Sequence, residues 1–152
     1  MILGIDPGAT GAVAIMSDNG YLIDLHDLPH MKGHGLSAAI LTEMLADVDD
    51  CKHAFIERVA ARPGQGVVSA FNFGMNFGTI RGVCSALRIP VSLVTPAKWK
   101  REMGLTASKD EARARAAQLW PGAAGQFARK KDDGRAEAAL IALWGSKHGD
   151  RT

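Results

Sequence analysis

The chain has 152 residues, 47% of them hydrophobic, and a formal net charge of +2. That length supports one substantial core and would leave two independent domains undersized, so a single globular domain over residues 1–152 is expected. The apolar runs are of strand length, too short for a membrane span, and the N-terminus lacks signal-peptide zoning, so a cytoplasmic protein is expected.

Ile2–Asp6 (ILGID) reads as a buried strand that ends on a carboxylate and runs into a Pro-Gly turn. Residues 11–16 form a second strand, Asn19-Gly20 gives a hairpin signal, and residues 21–28 form a third strand, which predicts an antiparallel meander. Residues 30–35 read as loop. Residues 36–46 carry apolar side chains at helical spacing (Leu36, Ile40, Leu41, Met44, Leu45), and His53–Glu57 (HAFIE) returns to a short apolar strand.

Residues 64–87 are glycine-bearing. Gly74, Gly78 and Gly82 recur every four residues, a smooth helical stripe for packing on the sheet or for a contact between subunits. Val91–Val94 is a fifth strand. Thr95-Pro96 starts a helix with a capping hydroxyl and a proline at the first helical position, and Ser108 with Glu111 forms a capping box for another that Pro121 stops. Further helical material precedes a final helix over residues 133–144. The order β-β-β-α-β-α-β-α predicts an α/β fold, a mixed five-stranded sheet with three antiparallel strands followed by parallel ones, flanked by helices.

Charge is uneven along the chain. Residues 1–75 carry four Lys and Arg against nine Asp and Glu, a net of −5, and residues 76–152 carry 14 against seven, a net of +7. A basic half suits a binder of phosphate backbones, and equally suits an ordinary solvated face. Cys51 and Cys84 have no CxxC partner and read as buried thiols.

The acids fall at particular places. Asp6 closes the first strand and Glu57 the fourth, while Asp133 and Glu137, four residues apart, lie about 40° apart around the last helix and so on one face. Each has a structural reading: Asp6 as a turn cap, Glu57 paired with Arg58 or Arg62, Asp133 as a helix N-cap. Arriving together from three elements they point to a metal site, because clustered carboxylates repel one another unless a cation neutralises them. Oxygen-only ligands favour Mg²⁺ or Mn²⁺ over zinc.

GIDPG on the first strand, IE at the end of the fourth and DDGRAEAALIALW on the last helix resemble the three acidic motifs of RuvC-like Holliday junction resolvases, of the RNase H-like (retroviral integrase) superfamily. RPGQGVVSAFNFGMNFGTIRGV and VTPAKWKREMGL, with the Lys109 region after them, resemble the bacteriophage-type branch, and the likeness covers nearly the whole chain. The resemblance implies an RNase H-like fold and a structure-selective endodeoxyribonuclease for branched DNA. It also implies Asp6, Glu57, Asp133 and Glu137 as catalytic ligands of two Mg²⁺ (or Mn²⁺) ions, and a homodimer that nicks a four-way junction in pairs. A phage-encoded member would work in the bacterial host cytoplasm. One departure is visible. Family members often carry aspartate where this chain has Glu137, and the preceding ligand can sit three residues before it, which here is Gly134, so Asp133 or Asp132 must serve.

Arg62, Gln65 and Phe73, with Phe71 and Phe77 near them, and Lys98, Lys100, Lys109, Arg129, Lys130 and Lys131 are the expected DNA contacts, cations on phosphates and aromatics on bases. Trp99, Trp120 and Trp144 sit at apolar helical positions and read as core, and His30 and His34 lie in a glycine-containing loop. Two other functions compete: a non-catalytic branched-DNA-binding module of the same fold, and a fragment of an actin-like nucleotide hydrolase, suggested by GIDPGATG.

Overall fold

The computed structural model describes residues 1–149. Its strands are β1 (Ile2–Asp6), β2 (Ala12–Met16), β3 (Leu22–Asp27), β4 (His30–Met31), β5 (Gly35–Leu36), β6 (His53–Glu57) and β7 (Val91–Val94). Its helices are α1 (Ala38–Ala46), α2 (Val67–Ala86), α3 (Pro96–Glu102), α4 (Lys109–Leu119) and α5 (Asp133–His148), with 3₁₀ turns at Pro121–Phe127 and Lys130–Asp132. The main sheet has the order β3-β2-β1-β6-β7. β1, β2 and β3 pair antiparallel, and β1-β6 and β6-β7 pair parallel, as the sequence predicts.

β1 is buried along its whole length because it runs through the middle of the sheet with helices on both faces. Side chains alternate across a strand. Leu3 and Ile5 therefore point to a core shared with Leu41 and Leu45 of α1 and Ile80, Val83 and Cys84 of α2. Gly4 points the other way, under α5, where a Cβ would lie 2.2 Å from the carbonyl oxygen of Ala138. Asp6 has the parity of Gly4. On β6, Phe55 pairs with Gly4 and packs with Leu140, Ile141 and Trp144 of α5, so Glu57, two residues on, has the same parity. The two strand-end acids thus leave neighbouring parallel strands on the face that α5 covers.

Three boundaries differ from the sequence reading. Residues 30–35 do not run as plain loop; β4 and β5 pair into a small antiparallel hairpin outside the main sheet. That hairpin takes Leu36, and the helix after it starts at Ala38 because the Ser37 hydroxyl accepts a hydrogen bond from the Ile40 N–H. α5 continues through His148 instead of ending near Trp144. The glycine stripe does not pack on the sheet: a Cβ at Gly74, Gly78 or Gly82 would meet nothing within 4 Å. Among the described residues no helix is long and apolar enough to cross a membrane.

Candidate metal centre and its cleft

Asp6, Glu57 and Glu137 each offer a carboxylate oxygen within 4.8 Å of those of the other two. Asp133, one turn before Glu137 on α5, lines the same cavity of about 850 Å³. Asp6, Asp133 and Glu137 are all buried, at 5–7% exposure. The charges are partly held by named donors. The Gly8 N–H donates to Asp6 Oδ1 (3.0 Å), the Trp99 indole N–H to Glu57 Oε1 (3.0 Å), and Lys100 Nζ to Glu137 Oε1 (2.7 Å). Asp133 accepts from the Thr10 hydroxyl (3.4 Å) and pairs with Lys109.

Asp132 and Asp133 are adjacent but serve different ends. Asp132 accepts from the backbone N–H and the guanidinium of Arg129, each at 2.8 Å at the closest, and that pair closes the turn ahead of α5. Gly134 is fixed by packing. A Cβ there would sit 1.9 Å from the Thr10 carbonyl oxygen, so the β1–β2 loop leaves no room for a ligand side chain at that position.

Burial pushes the Asp6 carboxyl up to about 7, with Glu57 and Glu137 adding to the effect. Glu57 is raised for the same reasons, burial first and Glu137 second, against the lowering effect of the Trp99 N–H. Among the described residues Asp6 receives one backbone N–H and, like Glu57 with its single indole N–H, no lysine or arginine in a salt bridge. Buried oxygen donors with no histidine or cysteine among them fit a hard divalent cation such as Mg²⁺ or Mn²⁺.

The expected DNA contacts divide. Arg62 and Phe73 line the cavity, and Lys100 and Lys109 lie inside it on the acids. Gln65 is used locally, accepting from the Arg62 N–H (3.1 Å) and donating to Ser69 (3.4 Å). Lys98 sits 5.3 Å from the centre of the Trp144 ring and does not line the cavity. Arg129 and Lys131 border a neighbouring groove that shares Ala9 and Thr10 with the cavity, and Lys130 is exposed outside both. Two residues of the site were not legible as such. Trp99 reads as core, and it is fully buried, but its N–H is spent on Glu57. Thr10 carried no signal beyond lying four residues after Asp6.

No family model matches the chain. Over 94 residues it is 31% identical to the chloroplastic Holliday junction resolvase MOC1 of Chlamydomonas reinhardtii, a match that takes in 60% of this chain and 11% of that protein. The structure of Thermus thermophilus RuvC in complex with a Holliday junction substrate superposes with a TM-score of 0.70 at 17% identity, covering 97% of this chain and 93% of that one. A second Thermus thermophilus RuvC structure gives 0.68 at 18% identity, covering 97% and 94%. A five-stranded mixed sheet with α5 laid on its central strand, superposable over almost its full length, gives this chain the RuvC fold, which is RNase H-like.

Proposed function

We propose that the chain is a divalent-metal-dependent endodeoxyribonuclease that cuts branched DNA, with the four-way junction as its leading substrate. The observation that carries this reading is the buried convergence of Asp6, Glu57 and Glu137, with Asp133 beside them, in an open cleft also lined by Arg62 and Lys109. Acids alone would repel a phosphodiester. Acids that hold cations in a basic cleft attract it.

Asp6, Glu57, Asp133 and Glu137 are the residues that would hold the ions, two in the reading adopted here. Bound there, Mg²⁺ or Mn²⁺ supplies an activated water and stabilises the charge on the leaving 3′-oxygen. Trp99 and Gly8 orient two of the carboxylates. Lys100 and Lys109 neutralise the other two until a cation arrives, and are then free to meet the phosphate. Arg62 binds the backbone further along the cleft, and Phe73 offers a ring to a base unstacked at the branch.

Two-fold junctions need two centres for paired nicks, and we infer a homodimer. The exposed face of α2, with Val67, Val68 and Phe71 beside the open glycine stripe, is the surface we assign to the second copy.

The test is incubation of the purified protein with labelled four-way, flap and linear duplex DNA, with Mg²⁺, with Mn²⁺ and with EDTA. Paired nicks close to the branch are expected with either metal, and none with EDTA or on the linear duplex. Junction binding without nicking in either metal would make the chain a non-catalytic module. Nucleotide hydrolysis without nicking would favour the actin-like alternative.

A further inference from the structure

α2 carries a second polar feature that the cleft does not use. Asn72, Asn76 and Thr79 fall at i, i+4 and i+7, one face of the helix, and look across a groove of about 530 Å³ at His30 and His34 of the β4–β5 hairpin. None of these five side chains takes part in a hydrogen bond or ion pair among the described residues. The groove runs into the metal-binding cleft at Ala9, which borders both.

Its chemistry is selective. Among the described residues no Asp or Glu lines it, so nothing there repels a nucleic acid, and no Lys or Arg lines it either, so it is not built for phosphate. Amides, a hydroxyl and imidazoles both donate and accept, which is what base edges require, and an asparagine amide pairs in bidentate fashion with adenine. Gly33 and Gly35 turn the hairpin at φ of +78° and +73°, and neither would have a neighbour within 4 Å of a Cβ, so the backbone there is open to close approach. The phosphates of a strand lying here would have a cation within reach, since His30 also borders the groove that holds Lys131. A metal site is a poorer fit, because the acidic cluster in the cleft is the one group of three or more ligands among the described residues.

We propose that this hairpin groove receives bases of the DNA strand next to the scissile phosphate and sets which flanking sequence is cut. The proposal rests on the nuclease reading and deepens it. Four-way junctions randomised on both sides of the branch are cleaved by the wild-type chain and by Asn72→Ala/Asn76→Ala, and the nick positions are sequenced. In parallel, Asp6→Asn and Asp6→Asn/Asn72→Ala/Asn76→Ala chains are used to select bound junctions from the same library without metal. Thermal unfolding checks that the variants fold. The wild-type chain is expected to favour its best flanking sequences about tenfold over the mean, as one or two bidentate contacts allow, and the double variant to flatten this to about twofold. The binding arm should flatten in the same way. An unchanged preference in the folded double variant, or a wild-type chain with no preference, overturns the groove assignment and leaves the nuclease standing. Failure of the wild-type chain to nick any branched DNA overturns the nuclease, and the binding arm then still decides whether the groove reads sequence.

Discussion

Trp99 joins packing to chemistry in one side chain. It is fully buried, and its N–H meets Glu57, 42 residues away in sequence. Trp99→Phe keeps most of the ring volume and leaves Glu57 without that donor, so the carboxyl becomes more basic and less well oriented. Partners that orient a metal ligand in this way are worth about 10–100-fold in metal affinity. Mn²⁺ binding measured by calorimetry is expected to weaken about tenfold and the half-saturating Mg²⁺ concentration for cleavage to rise about tenfold, and unchanged values would show that the indole only fills space. Asp6 makes a second prediction. Its pKa of about 7 in the folded, metal-free chain against 3.8 for the free side chain means that the native state binds more protons than the unfolded one between those values. Stability in EDTA should therefore fall as pH rises through that window and level off above it, by on the order of 2–3 kcal/mol between pH 5 and 8. Urea unfolding at both pH values measures this fall, and Asp6→Asn should remove the part Asp6 carries, leaving what the raised Glu57 carboxyl contributes. Asp6 and Glu57 were legible in sequence because each ends a short apolar run that reads as a strand, while the face they share came only from the pairing of β1 with β6. Choosing between Asp132 and Asp133 was not possible there, since the choice depends on Thr10 crowding Gly134 and on Arg129 closing over Asp132.

Between elements, the decisive contact is α5 on β1. A chain of alanines (Ala136, Ala138, Ala139, Ala142) and the bare Gly4 let the helix approach close enough for Glu137 to reach Asp6. Gly4→Ala places a methyl 2.2 Å from the Ala138 carbonyl oxygen and 2.4 Å from the Ala142 nitrogen, both backbone atoms that cannot rotate aside. The helix must move, at a cost of about 1–3 kcal/mol in stability. The same shift separates the acids, so cleavage should fall by far more than stability alone explains, read as lost nicking by protein that is still folded at the assay temperature. The main strands were legible because their hydrophobic runs are bounded by turn signals. The β4–β5 hairpin was not, because two-residue strands of His, Met, Gly and Leu have no period to detect. Gly145 has the look of a helix terminator, yet α5 passes through it: the Phe55 ring occupies the place its Cβ would take, 2.2 Å away, so the glycine is there for packing.

At the scale of the whole molecule, opposite faces of α2 have opposite fates. Phe77, Ile80, Val83 and Cys84 enter the core, while Val68 and Phe71 remain 73% and 66% exposed beside glycines that meet nothing. An apolar stripe on a 20-residue helix is costly to leave in water, which supports the proposed contact with a second copy. The glycines remove the side chains that would hold a second helix away, and the same helix brings Phe73 to the cleft, so an α2–α2 contact would put two cleavage centres on one rigid support. Val68→Asp/Phe71→Asp places four like charges across such a contact in a symmetric pair, at positions that line neither the cleft nor the hairpin groove. The wild-type chain is expected to sediment as a dimer at micromolar concentration and the double variant as a folded monomer. On a supercoiled plasmid bearing a cruciform, paired cuts yield linear DNA and single cuts yield open circles, so the variant should shift the product from linear toward open circle. Linear product at wild-type yield from a variant shown to be monomeric would mean that pairing of the nicks does not depend on α2, and a variant that still sediments as a dimer would move the subunit contact to another surface.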